Sequence, residues 1–489
     1  MSDASNVSLG GETVKATLAK FTMAMTGFVG TILFARILGP TSFGGFYLLF
    51  GLVKLADRPI NGWGIAAKKR FSEVSSHDRE LLGSVLFAVV GWTVVVLPGT
   101  IVFSGWLRSY TGLQEAPILF AVLLLSVSLY EPLEKLVQAR GLIGAATWVD
   151  ALRSYLTLPL QIAFVAYGFG AAGMAYGLSG ASLLVVPVLL HYIGVSPALP
   201  TRATVQNVGE FAKYSIPSNF FGTVYSRFDL LLLGLMLTPA AAGMYEVAAK
   251  LTLPAIFVAT TAASGLMSRV SDLHSRGENV EPDISNTLAF ASILSIPIFF
   301  GALAIPKALI VTFYGGEYAE AASLLIGLSL YRLVRTQSAP LTQAVNGLDM
   351  PDTNMRLSVA TLAVNVVLGV ALVYLLGAIG VVIATIVAES IRYVALSVLV
   401  KRHLPDLTLF PRTLLEQFGM GAVMFLAVTA VHRVVAVQRW FDLAILLAVG
   451  AGVYGLGLLA ISGQLRHTIA SVLRGSRIES AIPGRFLNW

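Results

Sequence analysis

The sequence predicts an all-α polytopic membrane protein: about fourteen transmembrane helices in two six-helix lobes around a central cavity, plus two C-terminal helices. Three observations carry that expectation. Of the 489 residues, 56% are hydrophobic and only 12% are charged, whereas a soluble domain carries roughly 25% charged residues. Mean hydropathy is +0.79. The apolar residues fall in repeated blocks of about 20, the length that crosses the hydrocarbon core as a helix. The blocks are continuously apolar. A membrane barrel would instead show alternating strands of about ten residues.

In chain order the predicted spans run over residues 16–38, 42–65, 81–103, 116–137, 146–167, 170–193 and 210–237. They continue over 240–267, 285–305, 319–346, 355–376, 379–400, 414–433 and 440–462. Pro and Gly punctuate them, as at Leu38-Gly39-Pro40 and Leu376-Gly377-Ala378. Short links imply antiparallel neighbours. Alternate loops hold the basic residues: Lys68, Lys69, Arg70 and Arg79; Lys135 and Arg140; Arg202; Arg269 and Arg276; Arg356; Lys401, Arg402 and Arg412. The tail adds Arg466, Arg474, Arg477 and Arg485, while the opposite loops hold little beyond Arg108, Lys307, Arg433 and Arg439. This bias marks the first set as cytoplasmic. It puts both termini in the cytoplasm, as an even number of spans requires.

The chain repeats itself. Leu38-Gly39-Pro40-Thr41-Ser42-Phe43-Gly44-Gly45-Phe46 matches Leu237-Thr238-Pro239-Ala240-Ala241-Ala242-Gly243-Met244-Tyr245 at Leu, Pro and Gly, with an aromatic two residues after the Gly. Each copy lies on the turn between a first and a second helix, and each precedes a helix with a mid-span lysine, Lys54 or Lys250. The expected organisation is an N-terminal lobe over 1–193, a cytoplasmic linker over 194–209, a second lobe over 210–402, and two extra helices with a cytoplasmic tail over 403–489. Both lobes start on the cytoplasmic side, so the repeat is parallel, and transporters built this way hold their substrate between the halves.

Other features bound the function. Cysteine is absent, which removes disulfides, thiolate catalysis and Cys-ligated metals. The first twenty residues lack the pattern of a signal peptide, so the first apolar block reads as a retained span. Asn6-Val7-Ser8 fits a glycosylation sequon but falls on the expected cytoplasmic side. The net charge of +7 comes without a dense basic block, so it implies topology rather than nucleic acid. No Walker loop, dinucleotide fingerprint or HExxH occurs, and the six His residues do not cluster. No catalytic residue, metal site or cofactor is expected. Without an ATPase motif, transport must draw on an ion gradient, the membrane potential or the cargo's own gradient.

The segment ARILGPTSFGGFYLL (residues 35–49), followed by a helix and the basic exit Lys68-Lys69-Arg70-Phe71-Ser72-Glu73, resembles the start of the polysaccharide-biosynthesis or oligosaccharide-flippase family. That family lies within the multidrug/oligosaccharidyl-lipid/polysaccharide exporter superfamily. The Asp-containing helix Arg227-Phe228-Asp229-Leu230-Leu231-Leu232-Leu233-Gly234 and the Pro239 to Tyr245 turn resemble the start of that family's second lobe. The variant Lys54-Leu55-Ala56-Asp57-Arg58-Pro59-Ile60-Asn61-Gly62-Trp63-Gly64 is similar to archaeal members that handle dolichol-linked sugars. The basic balance is unlike a strong halophile's acidic surface. The resemblance implies a flippase for a polyprenyl- or dolichyl-phosphate-linked sugar in the cell membrane. Its implied partners are the anionic lipid-linked sugar, membrane lipids and glycosyltransferases of the same pathway.

Mid-span charges point the same way. A charged side chain at the bilayer centre costs at least about 2.5–3.5 kcal/mol, so it faces a partner or a wet cavity. At about 100° per residue, Tyr47, Lys54, Arg58 and Asn61 share one helix face, with Asp57 at its edge. Similar stripes join Asn219, Thr223, Ser226 and Arg227; Arg332, Arg335, Thr342, Gln343 and Asn346; and Asp150, Arg153, Thr157 and Gln161. The expected substrate-binding cations are Lys54, Arg58, Arg227, Lys250, Arg332, Arg335 and, near the outer turn, Arg36. Asp57, Asp229 and Glu246 are the expected coupling or ion-pair residues. A cationic cavity suits a phosphate-bearing headgroup, whose oxygens match the arginine fork. Local pairing is the competing reading: Glu246 with Lys250, Asp57 with Lys54 or Arg58, Glu389 with Arg392, and Glu131 and Glu134 with Arg153. Arg332 and Arg335 have no acidic neighbour in their helix. The alternative function is a cation-coupled multidrug antiporter, which would favour an acidic site. A membrane-embedded glycosyltransferase would call for a large outer loop, and a scaffold would not explain convergent cations.

Overall fold

The computed structural model describes residues 9–73, 77–435 and 437–474. The sequon at Asn6 and the tail cations Arg477 and Arg485 lie outside the described residues. The described chain is helical: α1 (Leu9–Ala56), α2 (Arg58–Phe71), α3 (Asp78–Val102), α4 (Ser104–Thr111), α5 (Ala116–Ala139), α6 (Ile143–Phe164), α7 (Gly170–Ile193), α8 (Arg202–Met236) and α9 (Pro239–Thr252). These are followed by α10 (Phe257–Ser275), α11 (Glu281–Ala291), α12 (Ser295–Ala304), α13 (Pro306–Tyr314), α14 (Ala321–Gly347), α15 (Pro351–Leu376), α16 (Ala378–His403), α17 (Arg412–Val434), α18 (Trp440–Ile461) and α19 (Gly463–Arg474).

Among the described residues, 10 stretches are long and apolar enough to cross a membrane. The protein is a multi-pass membrane protein. The stretch Ile143–Ile193 covers both α6 and α7, and Pro239–Ser275 covers α9 and α10. Helices α8 and α14 have 35 and 27 residues, long enough to cross, but their polar stripes leave them outside that set.

The chain divides into two compact units, Met1–Glu246 and Val247–Trp489. In the first, α1 breaks at Gly39, whose backbone has φ 70 and ψ 171. That conformation is open to glycine and strained for any residue with a Cβ. Pro40 follows and starts the next helical stretch with a fixed φ. The two repeated turns meet within this unit. A Cβ added at Gly44 would stand 1.8 Å from the Pro239 carbonyl oxygen, and one at Gly243 would stand 2.2 Å from that of Pro40. Each glycine thus admits the backbone of the other copy, the small-residue contact by which membrane helices approach closely.

The helix does not end at Ala56. Backbone bonds run Asp57 N–H to Val53 O (2.8 Å) and Asn61 N–H to Asp57 O (2.9 Å), carrying α1 into α2. Pro59 lacks an N–H and its ring disturbs the preceding turn. Side chains satisfy the carbonyls there: Arg58 Nε donates to Lys54 O (2.7 Å) and Trp92 Nε1 to Ala56 O (2.7 Å). The core of this unit joins Ala66 and Phe71 of α2, Leu82 of α3, Leu133 and Leu136 of α5, Val149 of α6, Leu189 of α7 and Val208 of α8. The outer face of α3 instead exposes Phe87, Val90, Val94 and Val95, the side expected to meet lipid chains.

Among the described residues of the second unit, two clusters of buried side chains stand out. One joins Val270, Ile284, Leu288, Leu341, Val345, Leu396 and Val400 from α10, α11, α14 and α16. The other joins Ile296, Met420, Met424, Leu443, Leu446 and Tyr454 from α12, α17 and α18. Between helices in lipid the apolar driving force is weak, so close packing and interhelical hydrogen bonds carry the association. Bonds of this kind run from Gln417 Nε2 to Ala289 O (2.6 Å) and from Tyr454 OH to Ile293 O (3.1 Å).

Candidate functional site: two clusters of charges within the spans

In the first unit the predicted face of α1 and α2 closes on α5. Glu131 sits at the centre. Its Oε1 accepts from Lys54 Nζ, and its Oε2 accepts from Asn61 Nδ2 and from Arg58 Nη2, the last at 3.2 Å. Arg58 Nη2 also donates to Asp57 Oδ2 at 2.9 Å, and Ser128 Oγ to Asp57 Oδ1 at 2.6 Å. Asp57 is fully buried. Two cations face two carboxylates, and the remaining carboxylate oxygens find neutral donors. That balance lets the group sit within a span.

This corrects one expectation. Glu131 does not join Arg153. Arg153 Nη2 donates to Asp150 Oδ1 at 2.8 Å and its guanidinium lies 4.3 Å from the centre of the Tyr130 ring. Tyr130 OH donates to the same Asp150 oxygen at 3.0 Å. Glu134 accepts from Gln138 Nε2 at 3.0 Å. The α5 carboxylates therefore part company, Glu131 turning to α1 and α2.

The stripe on α8 spends its hydrogen bonds on its own helix. Asn219 Nδ2 donates to Ser215 O, Thr223 Oγ1 to Asn219 O and Ser226 Oγ to Thr223 O. Arg227 is partly buried and has no ion-pair partner among the described residues. Asp229 accepts from Tyr245 OH at 3.1 Å. Arg36 is exposed, one turn before the Gly39 break, and Glu246 is buried on α9.

In the second unit the charges gather on α14 and α16. Arg335 Nη1 contacts both oxygens of Glu389 at 3.3 Å. Glu389 is 1% exposed and Arg335 33%. The expected Glu389–Arg392 pair does not form. Arg392, itself buried, reaches α14 and α15 instead: its Nη2 donates to Asn354 Oδ1 (3.2 Å) and Thr342 Oγ1 (3.5 Å). Asn354 Nδ2 donates to Asn346 Oδ1 at 3.0 Å. Arg332 Nε donates to Thr252 Oγ1 at 3.4 Å and the guanidinium lies 5.2 Å from the centre of the Tyr331 ring. No carboxylate among the described residues pairs with Arg332 or Arg392. Lys250 lies partly buried on α9.

The structure thus brings Lys54, Asp57 and Arg58 together, and Arg332 and Arg335 onto one helix. Glu131 and Glu389 are the partners that sequence reasoning assigned elsewhere. For Glu389 the available signal was that it is the one carboxylate of an apolar span, which calls for a cation from another helix.

Among solved structures, the lipid II flippase MurJ in an inward-closed conformation superposes with a TM-score of 0.72 at 16% identity, covering 91% of this chain and 98% of that one. An inward-facing multidrug resistance MATE family transporter of the MOP superfamily gives 0.62 at 18%, covering 79% of this chain and 96% of that one. These likenesses establish the fold. Residues 33–323 match the polysaccharide biosynthesis protein family, and the chain belongs to it. The probable flippase AglR of Haloferax volcanii is 25% identical over 469 residues, covering 94% of this chain and 97% of that protein. The probable low-salt glycan biosynthesis flippase Agl15 of the same organism is 25% identical over 387 residues, covering 78% and 81%.

Proposed function

We propose that the protein is a flippase that moves a polyprenyl- or dolichyl-phosphate-linked sugar or oligosaccharide outward across the cell membrane. The cargo serves protein glycosylation or surface polysaccharide assembly. The family and the likeness to the flippases AglR and Agl15 support this class. The observation that carries it is Arg332: an arginine within a polar helix, beside Arg335, that no described carboxylate neutralises. A planar guanidinium left open in this way suits a phosphate oxygen.

On this reading the protein acts as a transporter rather than an enzyme. Arg36, Lys54, Arg58, Arg227, Lys250, Arg332 and Arg335 are cargo contacts, and Asp57, Asp229 and Glu246 are coupling or ion-pair residues. The chain crosses about fourteen times once α1 is split at Gly39, α6 and α7 are counted separately and α8 and α14 are added. Residues 1–193 and 210–402 form parallel repeats, 403–489 add two helices and a tail, and both termini are cytoplasmic. Glycosyltransferases of the pathway supply the cargo. The antiporter alternative would favour a carboxylate-rich site, and the surplus arginines of α14 and α16 weigh against it.

The test compares vesicles with and without the protein, measuring how much lipid-linked sugar is protected from an added enzyme. Protection that follows the protein supports the reading. Equal protection in both, with a cationic drug moved instead, would favour the antiporter.

A further inference from the structure

The facing sides of α14 and α16 carry a short ladder of charge within the second unit. Arg335 of α14 meets Glu389 of α16, and one turn further along α16 stands Arg392, which reaches Thr342 of α14. Two guanidiniums thus flank one carboxylate. Glu389 is 1% exposed and Arg392 6%.

The pair that forms is a loose one. A single nitrogen, Arg335 Nη1, is shared between both Glu389 oxygens at 3.3 Å, where a good charge-assisted bond spans about 2.7–2.9 Å. Arg335 is also the member with an open side. Its side chain is 33% exposed, so an anion meets it without prising α14 from α16.

Arg392 is the opposite case. Its Nη2 rests on two neutral oxygens, Asn354 Oδ1 at 3.2 Å and Thr342 Oγ1 at 3.5 Å. Its buried Nε has no partner among the described residues. A buried guanidinium held only by neutral groups is costly, and a buried donor is normally paired. The carboxylate that answers both needs is one turn away on the same helix, the separation at which acidic and basic side chains meet.

We propose that Glu389 is a movable counter-ion: when a phosphate oxyanion takes Arg335, Glu389 turns to Arg392. This rests on the flippase reading above, which supplies the phosphate. The charges call for such an exchange. Arg335 is the one ion-pair partner of Glu389 among the described residues, and beside a bound phosphate Glu389 would be a buried carboxylate facing a like charge. At rest the exchange is unfavourable, because Arg392 must give up Asn354 and Thr342. The carboxylate therefore sits on Arg335, and removing Arg335 still costs stability. Bound phosphate supplies the difference, since a ligand shifts such an equilibrium by its differential affinity for the two states. Arg392 is then a positioning residue that never meets the cargo and sets how readily Arg335 is released to it.

The test measures binding of geranylgeranyl phosphate, and of inorganic phosphate beside it, to the full chain in detergent by calorimetry. Arg392→Gln removes the charge and keeps an amide donor for Asn354 and Thr342; Arg392→Lys keeps the charge. All variants are checked for folding by size exclusion and thermal melting. Glu389→Gln should tighten binding, because nothing has to leave Arg335. Arg392→Gln should weaken it by about tenfold, the scale of coupling between linked sites, and Arg392→Lys should recover part of the loss. In the Glu389→Gln background Arg392→Gln should change little. Infrared difference spectra of glutamate-labelled protein should show one carboxylate band that shifts on binding and is missing in Glu389→Gln. This pattern with either phosphate supports the exchange, and with the lipid phosphate alone it ties the exchange to the cargo. Equal weakening by Arg392→Gln in both backgrounds, weaker binding in Glu389→Gln, or a Glu389 band that binding leaves unmoved overturns the proposal. Flux of lipid-linked sugar separates the two readings. If the wild type flips the cargo while the two substitutions act independently, the exchange falls and the flippase stands. If the wild type flips nothing while the coupled pattern holds, the exchange stands and the flippase reading falls.

Discussion

The two charge clusters differ in their arithmetic. Lys54 and Arg58 meet Asp57 and Glu131, two against two. On α14 and α16, Glu389 pairs with Arg335, while no carboxylate among the described residues pairs with Arg332 or Arg392. The first cluster is closed: its carboxylate oxygens are occupied by lysine, arginine, asparagine and serine. The second is open, with two guanidiniums resting on neutral oxygens. A balanced buried network is costly to break and contributes little net stability when intact. A cation without a carboxylate survives only if water or an anion reaches it. On the flippase reading, Lys54 and Arg58 hold the first cluster together as well as meeting cargo, and Arg332 of the second cluster is the contact whose removal leaves the fold intact.

Breaking the closed cluster should have the largest effect. Glu131→Ala removes the partner of Lys54, Arg58 and Asn61 at once. A loss of about 3–5 kcal/mol is expected for stranding a buried charge, read as a large fall in folded yield and melting temperature in detergent. Near-normal stability would show that water reaches Lys54 and Arg58, and would move this cluster into the open class.

Arg335→Ala should come next. It strands Glu389, which is 1% exposed, so stability should fall by up to about 3 kcal/mol. Adding Glu389→Gln should restore most of it, because a neutral amide needs no counter-charge. Failure of that rescue would mean Arg335 holds the fold through contacts other than Glu389. Gly44→Ala probes a different kind of constraint. Its methyl would meet the Pro239 carbonyl oxygen at 1.8 Å, and overpacking of this sort costs about 1–3 kcal/mol. An unchanged melting temperature would mean that the two turns separate readily. The smallest effect belongs to Arg276→Ala. That arginine is 61% exposed and its partner Asp272 54%, and exposed ion pairs contribute under about 1 kcal/mol. A measurable loss there would mean that charge pairing alone does not explain the ranking.

Much of this architecture was legible in the chain. Continuous apolar blocks specify helices because lipid leaves backbone groups no other partner, and the Gly39-Pro40 break announced itself through two residues with special backbone limits. The repeated turn was visible as well, although nothing in the sequence said that Gly44 and Gly243 would receive each other's proline carbonyls. The charged faces on α2 and α14 followed from helical period. Their partners did not. Periodicity ranks neighbours one turn away, which favoured Glu389 with Arg392; the helices instead bring Glu389 to Arg335, 54 residues distant. Glu131 reaches Lys54 across 77 residues for the same reason. A pairing between helices depends on which faces pack, and composition does not encode that.

The most direct measurement is lipid-linked sugar flux in vesicles carrying Arg332→Ala, with melting temperature recorded on the same sample. Arg332 strands no carboxylate when removed, so the melting temperature should stay near that of the wild type. A lost charge-assisted bond to a phosphate is worth roughly 1.5–3 kcal/mol, so flux should fall on the order of tenfold or more. Arg332→Lys should recover part of it by restoring charge without the planar fork. Wild-type flux in a well-folded Arg332→Ala protein, and still in the Arg332→Ala/Arg335→Ala double variant, would contradict cargo recognition by the open cluster.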